Sequence, residues 1–341
     1  MEPVSVLLPV RDAQGLPPRA FATAIRSTLR SRDVDLDVVV VDHGSIDETP
    51  HLLAAWAARD SRLRVIRVAR GASLAEAVEA GRLACATRFI ARMDADDVMH
   101  PWRLREDIAW LLARPRTAAV ASWTRAVPRG SRAMRSYLQW QNSVLDAAGH
   151  AREIWIEQPL CNPSTTFRAE ALADVGGYQS GPWPEDYQLL LRLVLSGWDV
   201  EKRPILRHGW RQHAAMTTRT SSRHTRDEVA ALKAIFLVSH YRLTNRAIVV
   251  LGAGKEGRRI SRALRAAGAQ VAAFVDVSPA RIGRECHGVR VMPTPDLAAW
   301  HGVHAGAFGI GAVGTSGSRG TVRAVLDAAG FVEGQDAVVV S

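Results

Sequence analysis

A chain of 341 residues with 47% hydrophobic content is long enough for two cores, and its three widely spaced cysteines, Cys85, Cys161 and Cys286, form no CxxC pair and argue against a disulfide framework or a zinc site. The net charge of +10 is spread along the chain, and only Lys202, Lys233 and Lys255 among its 44 basic residues are lysine, so the charge admits a polyanionic partner without specifying one. No apolar run reaches the length of a membrane span and no basic stretch precedes the first strand-like segment, which reads as a cytoplasmic protein without integral membrane association.

From the start, β-branched apolar runs alternate with helical patterns: "VSVLLPV", a helix to about residue 31, "DLDVVVVD", a helix to 59, "LRVIRVA", a helix to 87, "RFIARMD", a helix to 114, then "AAVASW". That rhythm predicts an α/β domain with a mainly parallel sheet and helices on both faces. Ligands of such sheets gather at the carboxyl ends of the strands, where "VVVVDHGSID" and "RMDADD" both place acids. In "FIARMDADDVMHP", residues 89–101, three aspartates fall within four positions before a helix begun by Pro101. Carboxylates so close repel one another, and a fold that keeps them there supplies a cation or a hydrogen-bonded sugar. Asp97 has an ordinary alternative as a helix-start residue.

Further on, "PEDYQLLLRLVLSG" (184–197) is an amphipathic helix that closes on glycine. Residues 214–226 are polar, carry no apolar period and read as a connection, followed by the helix "DEVAALKAIFLVSHYRL". From about residue 245 the rhythm restarts in "RAIVVLGAGKEGRRISRALRAAGAQVAAFVDV", a strand, glycine turn, helix and strand that predict a smaller Rossmann-like α/β domain. Gly252, Gly254 and Gly257 stand where a dinucleotide fingerprint requires them, and Asp276 ends the next strand, marking a candidate second nucleotide site. Similar glycine turns occur in nucleotide-sugar-binding domains and in plain scaffolds. The expected division is residues 1–220, a linker and connecting helix over 221–244, and residues 245–341.

Seven segments in order across roughly residues 4 to 218, "SVLLPVRD", "VVVDHGSIDET", "GASLAEAVEAG", "RFIARMDADDVMHPWRL", "NPSTTFRAEALADVGGY", "PEDYQLLLRL" and "WRQHAAMTTR", resemble glycosyltransferase family 2, the nucleotide-sugar-dependent enzymes of GT-A fold. The resemblance implies that Asp96 ligates a Mn²⁺ or Mg²⁺ ion bridging the donor phosphates, with Asp94 facing the ribose or sharing the metal. A divalent ion there stabilises the leaving nucleoside diphosphate as a Lewis acid. The "ED" pair at a helix start implies Asp186 as general base and Glu185 as its neighbour or an acceptor contact, for a single displacement with inversion. Pro9, Val10 and Arg11 would line the nucleoside, followed by Asp42; His43 replaces a second acid that often reads uracil, and Glu76 replaces a usual arginine. "WRQH" would return to the site, with Arg211 or His213 against the diphosphate and His213 among the metal ligands, while Trp183 could stack on a sugar or base.

The whole chain, including "GAGKEGRRISRAL" and "VAAFVDVSPARIG", also resembles the galactosyltransferases of queuosine in tRNA, which implies UDP-galactose as donor and tRNA as partner. The rival acceptor is a lipid-linked or surface polysaccharide glycan. A nucleotide-sugar-binding or redox module with a degenerate transferase half is the reading from another class, and the intact Asp94, Asp96 and Asp186 argue against it.

Overall fold

The computed structural model describes residues 2–341 except 215, 217–221, 223, 224 and 316, so most of the connection expected over 214–226 lies outside the described residues. The chain forms two compact units, residues 1–150 with 159–221, and residues 151–158 with 222–341.

In the first unit eight strands make one sheet: β1 (Pro3–Val10), β2 (Asp35–His43), β3 (Leu63–Val68), β4 (Phe89–Arg92), β5 (Val98–Met99), β6 (Thr117–Val127), β7 (Thr165–Arg168) and β8 (Asp199–Arg211). Their order is β3-β2-β1-β4-β7-β6-β8-β5. The β3-β2-β1-β4 half is parallel throughout, β7 runs antiparallel between β4 and β6, and β6 pairs with β8 in parallel. The α/β class and the mainly parallel sheet are therefore as the hydropathy rhythm predicts. Val4, Val6, Leu7 and Leu8 of β1 and Val38 to Val41 of β2 are wholly buried, the continuous apolar run of strands covered on both faces. The helix Leu74–Ala84 lies so close on them that a Cβ at Gly81 would stand 2.3 Å from Leu7 and 2.5 Å from Val41.

Strands β5, β7 and β8 are not among the expected elements. β7 has only four residues, too few to display a period, and β8 carries Pro204 and alternating charges that obscure its 13-residue length. Pro204 falls where the β6–β8 register shifts between Arg203 and Leu206, a bulge that requires no ladder donor from it. The two-residue β5 pairs antiparallel to β8, Val98 with Gly209 and Met99 with His208, so the acidic turn before β5 is tied to the end of β8.

The second unit holds a six-stranded sheet of β9 (Ile248–Leu251), β10 (Val271–Asp276), β11 (Glu285–Cys286), β12 (Val289–Pro293), β13 (Phe308–Gly311) and β14 (Ala337–Val339). The order is β11-β12-β10-β9-β13-β14, all parallel except the β11–β12 hairpin. Lys233, on the helix Arg226–His240, is buried in this unit and donates to the carbonyls of Ile156 (2.6 Å) and Val340 (3.0 Å), which fixes the segment 151–158 to it. All three cysteines are free thiols.

Candidate active site

At the carboxyl end of β1, Pro9 and Val10 stand in register with Val41 and Asp42 of β2, so the expected nucleoside-lining residues share one edge. The turns that follow interlock. Asp12 accepts from the Ile46 amide (2.9 Å) and takes both Arg70 Nη groups (3.2 and 2.9 Å), and Asp47 accepts from the Gln14 amide (2.9 Å). The Arg70 contact, then the Ile46 hydrogen bond, holds the Asp12 carboxyl below its ordinary value. Gly44, at φ +62°, lets the backbone pass Arg70: a Cβ there would lie 2.4 Å from the Arg70 backbone. Arg11 is half exposed at this rim.

Asp42 and His43 are more enclosed than a nucleoside reader need be. The Asp42 side chain is 2% exposed, accepts from the Ser45 amide (2.9 Å) and faces Arg67 at 3.6 Å. His43 Nε2 pairs with the Ala72 carbonyl at 2.7 Å, so a base could address only Nδ1. Glu76 has a local purpose: its carboxylate accepts from the Ser73 amide (2.6 Å) while Ser73 Oγ accepts from the Glu76 amide (3.2 Å), a capping box that starts the helix Leu74–Ala84.

The acidic turn after β4 divides its three aspartates among three partners. Asp94 accepts from Arg92 Nη2 at 2.9 Å. Asp96 Oδ2 stands 2.7 Å from His213 Nε2, and the Asp96 carbonyl accepts from Arg211 Nε at 2.6 Å. Asp97 is fully buried, accepts from the Arg211 amide (2.7 Å) and pairs with His208 Nε2 (2.8 Å). Asp97 is thus no helix cap; Trp102 occupies the N-cap position of the helix Arg103–Leu112 without a side-chain capping bond. Burial foremost, and Asp97 beside it, raise the Asp96 carboxyl above its ordinary value against the pull of His213. Burial and Asp94 push Asp97 further up.

The expected metal ligands Asp94, Asp96 and His213 do not meet as one cluster: among the described residues no group of three or more His, Cys, Asp or Glu side chains is arranged to hold a metal. Asp94 is turned to Arg92 instead. The chemistry of Asp96 and His213 still fits Mn²⁺ or Mg²⁺, because neighbouring ligands about 2.1 Å from an octahedral ion lie about 3 Å apart, close to their 2.7 Å separation. Donor phosphates and water would fill the other positions, as is usual for these ions.

Across from this turn, the helix Glu185–Leu195 opens with both expected carboxylates. Glu185 is 8% exposed, and Asp186 accepts from the Tyr187 amide at 2.8 Å. Arg92 joins the two sides. It is 4% exposed, donates to the carbonyls of Leu7 and Met93 at 3.0 Å, and keeps its charge against burial because Asp94, Glu185 and Asp186 all face it. Sequence reasoning passed over Arg92, although an arginine inside the apolar run "RFIARMD" is the signal of a buried ion pair. It also passed over Tyr178, whose buried hydroxyl has no hydrogen-bond partner among the described residues and whose ionisation is suppressed by burial. Trp183 packs on Gly181 with its indole N–H equally without an acceptor there.

A buried network beneath the site holds its elements in place. Arg103, wholly buried, donates to the carbonyls of Arg92 (3.1 Å), Pro163 (2.7 Å) and Thr165 (3.0 Å). Asp107, also wholly buried, takes Arg203 Nε (3.0 Å) and Nη2 (2.8 Å) and the Thr166 hydroxyl (2.8 Å). Glu106 accepts from both Arg203 and Arg207 at 2.8 Å. Beside the paired ends of β6 and β8 a cavity of about 580 Å³ is lined by Arg125, Arg129 and Arg135.

In the second unit, Gly252 and Gly254 lie in the turn between β9 and the helix Lys255–Ala266, Gly257 stands in the first turn of that helix, and Asp276 ends the neighbouring β10.

Residues 5–176 match the family model described as glycosyl transferase family 2. Curated relatives include an amylovoran biosynthesis glycosyltransferase, AmsE, of Erwinia amylovora, 25% identical over 49% of this chain and 61% of its own length. The succinoglycan biosynthesis protein ExoO of Rhizobium meliloti is 44% identical over 25% of this chain and 24% of its own, and the O-antigen biosynthesis protein RfbC of Myxococcus xanthus 26% identical over 56% and 14%. The chain therefore spans less than two thirds of each of these relatives. Among solved structures, S. aureus TarS 1–349 in complex with UDP-GlcNAc superposes with a TM-score of 0.56 at 13% identity, covering 77% of this chain and 72% of that one. The mannosyltransferase PcManGT of Pyrobaculum calidifontis, in complex with GDP-Man and Mn²⁺, gives 0.51 at 18% identity, covering 79% and 70%. At these identities the likeness is one of fold, and it agrees with the GT-A architecture that the motifs imply.

Proposed function

Because this chain belongs to glycosyl transferase family 2, we propose that it moves a hexose from a nucleoside diphosphate donor to a hydroxyl of a lipid-linked or surface polysaccharide glycan, with inversion at the anomeric carbon. The observation that carries the reading is the arrangement of Asp96 with His213 on one side of Arg92 and the Glu185–Asp186 pair on the other. The donor diphosphate lies against Arg211, whose Nε is already engaged by the Asp96 carbonyl and whose terminal nitrogens form the fork that suits phosphate. Asp96 and His213 would hold a divalent ion, which supplies Lewis-acid stabilisation of the leaving diphosphate. Asp186 takes the proton from the acceptor hydroxyl as it attacks, with Glu185 beside it. Arg92 keeps Asp94 and this pair from repelling one another.

The acceptor class rests on the relatives named for amylovoran, succinoglycan and O-antigen biosynthesis. None of these is named for tRNA modification, so the expected queuosine acceptor and UDP-galactose draw no support from them. Arg125, Arg129 and Arg135 around their cavity favour an acceptor that carries negative charge, such as the diphosphate of a lipid-linked glycan.

The test incubates the protein with Mn²⁺, UDP-glucose, UDP-galactose, UDP-GlcNAc or GDP-mannose, and either a lipid-linked oligosaccharide or queuosine-containing tRNA, followed by mass analysis of both acceptors. A hexose on the glycan supports the proposal, and a hexose on the tRNA alone overturns the acceptor. Release of no nucleoside diphosphate from any donor overturns the enzyme reading.

A further inference from the structure

The glycosyl transfer described above uses nothing from the second unit, yet that unit contains a cavity of about 590 Å³. We propose that this cavity is a second, separate binding site for a ligand built on a nucleoside diphosphate, either a dinucleotide or a nucleotide sugar.

The topology places it. Leaving aside the β11 hairpin, the parallel strands lie in the order β12-β10-β9-β13-β14, so the chain runs from β9 outward to β10 and β12 on one side and then crosses back to β13 on the other. The crevice between strands that depart in opposite directions is where open α/β sheets take ligands, outside the carboxyl ends. Leu251 at the end of β9 and Gly252 after it, Val275 and Asp276 of β10, and Ala312 and Val313 after β13 line this cavity. Its volume is within the range of small-molecule sites, about 300–1,000 Å³.

The glycines are placed for a phosphate rather than only for a turn. Gly252 has φ +105°, and a Cβ on it would lie 2.7 Å from the Ala312 carbonyl, so the turn needs glycine. Gly257 is where the helix presses on that turn: a Cβ would lie 1.7 Å from the Gly252 carbonyl. Gly254 is different, since the nearest atom to a Cβ is the Arg281 guanidinium at 3.6 Å. Packing does not demand glycine there, whereas a bare backbone lets a diphosphate approach. Gly254 is also the helix N-cap and so offers no side chain to the first-turn amides of Lys255–Ala266, while Gly254 and Lys255 border the cavity. Glu256 in that turn does not repel an anion unopposed, because Arg259 (2.6 Å) and Arg226 (3.2 Å) pair with it.

The far end is suited to a nucleoside. Asp276 is 6% exposed, and its Oδ2 accepts from the Ala253 amide (2.8 Å) and Arg281 (3.0 Å), while among the described residues Oδ1 accepts only from the Ser278 amide (2.8 Å). A carboxylate oxygen has two lone pairs, so Oδ1 can accept one ribose hydroxyl. Arg281, half exposed, stands beside it where a ribose phosphate would lie. Val277 follows Asp276 and is 81% exposed at the cavity wall, an apolar surface for a base.

The test is calorimetry on the full-length Asp96→Ala protein in EDTA, which silences metal-dependent donor binding in the first unit. ADP, NAD⁺, NADP⁺ and UDP-glucose are titrated in turn. One-to-one binding of at least one of them is expected, weakened about tenfold or more by the exposed-site change Lys255→Glu, the worth of a single charge-assisted contact. Hydrogen exchange should slow at residues 252–257 and 276–281 on binding. Binding of a dinucleotide but not UDP-glucose identifies the first source, and the reverse the second. No binding of any probe at millimolar concentration, or binding indifferent to both Lys255→Glu and Arg281→Glu, overturns the proposal. This outcome is independent of glycosyl transfer, which the unaltered protein reports separately.

Discussion

His208 Nε2 lies 2.8 Å from Asp97 Oδ2, and solvent reaches neither side chain. Burial drives the His208 pKa down to about 3 and the Asp97 carboxyl well up, so each group resists carrying charge there. Asp97→Ala would leave His208 and the Arg211 amide without their acceptor. A loss of about 3 kcal/mol in urea unfolding is expected, since breaking a buried pair strands its partner. Asp97→Asn, which keeps an acceptor oxygen, should cost about half as much. Equal stability of all three proteins would mean the contact holds nothing.

Asp96→Ala should abolish metal-dependent binding of a nucleotide sugar in calorimetry. His213→Ala should weaken it by about 10–100-fold, the scale on which metal sites respond to loss of a supporting group. Mn²⁺-dependent affinity that survives in Asp96→Ala would place the ion elsewhere.

For the base, Asp186→Asn should bind donor normally and turn over about 10²–10⁴-fold more slowly. Turnover is best followed as nucleoside diphosphate release with saturating acceptor. A variant with unchanged kcat would assign the proton to another group.

Glu106 sets a pH dependence whose sign follows from its partners. Arg207 foremost, and Arg203 with it, hold its pKa at about 2 despite burial, against 4.5 for an ordinary glutamate. A carboxyl with a lowered folded pKa contributes stability that is complete above the unfolded value and is lost as pH falls through the folded one. Glu106→Gln should therefore destabilise by about 1 kcal/mol at pH 7, solvent screening of this partly exposed group reducing what the shift alone would give, with the difference shrinking between pH 4.5 and pH 2. Thermal unfolding of both proteins at pH 7 and pH 3 measures it; a constant gap would show that the carboxylate charge is irrelevant.

The parts of the site that could be read from sequence are short acidic motifs at element ends. Asp94 and Asp96 stand out at a strand end marked locally by hydrophobic period and turn chemistry, whereas Glu185 and Asp186 enter the candidate site through the family resemblance, their position alone fitting an ordinary helix start. Their partners are not local. His208 is 111 residues from Asp97, Arg203 is 96 from Asp107, and His213 is 117 from Asp96. No periodicity reports such pairings, and β8, which supplies several of them, is disguised by Pro204 and its charges. The helix-start alternative for Asp97 arises for the same reason, since its buried partners come from another strand.

Because β8 is one continuous strand, it also limits how this protein can change over generations. Arg203 and Arg207 grip the helix Arg103–Leu112, while His208 and Arg211 grip the acidic turn. Side chains alternate faces along a strand, so one inserted or deleted residue between these contacts would turn those beyond it to the opposite face. Point substitutions in β8 would be felt one contact at a time, whereas a single-codon insertion between Arg207 and His208 would release both grips on Asp97 together. Length variation among descendants of this chain should accordingly collect elsewhere, in turns such as the one at Gly71, where a Cβ would meet no atom within 4 Å.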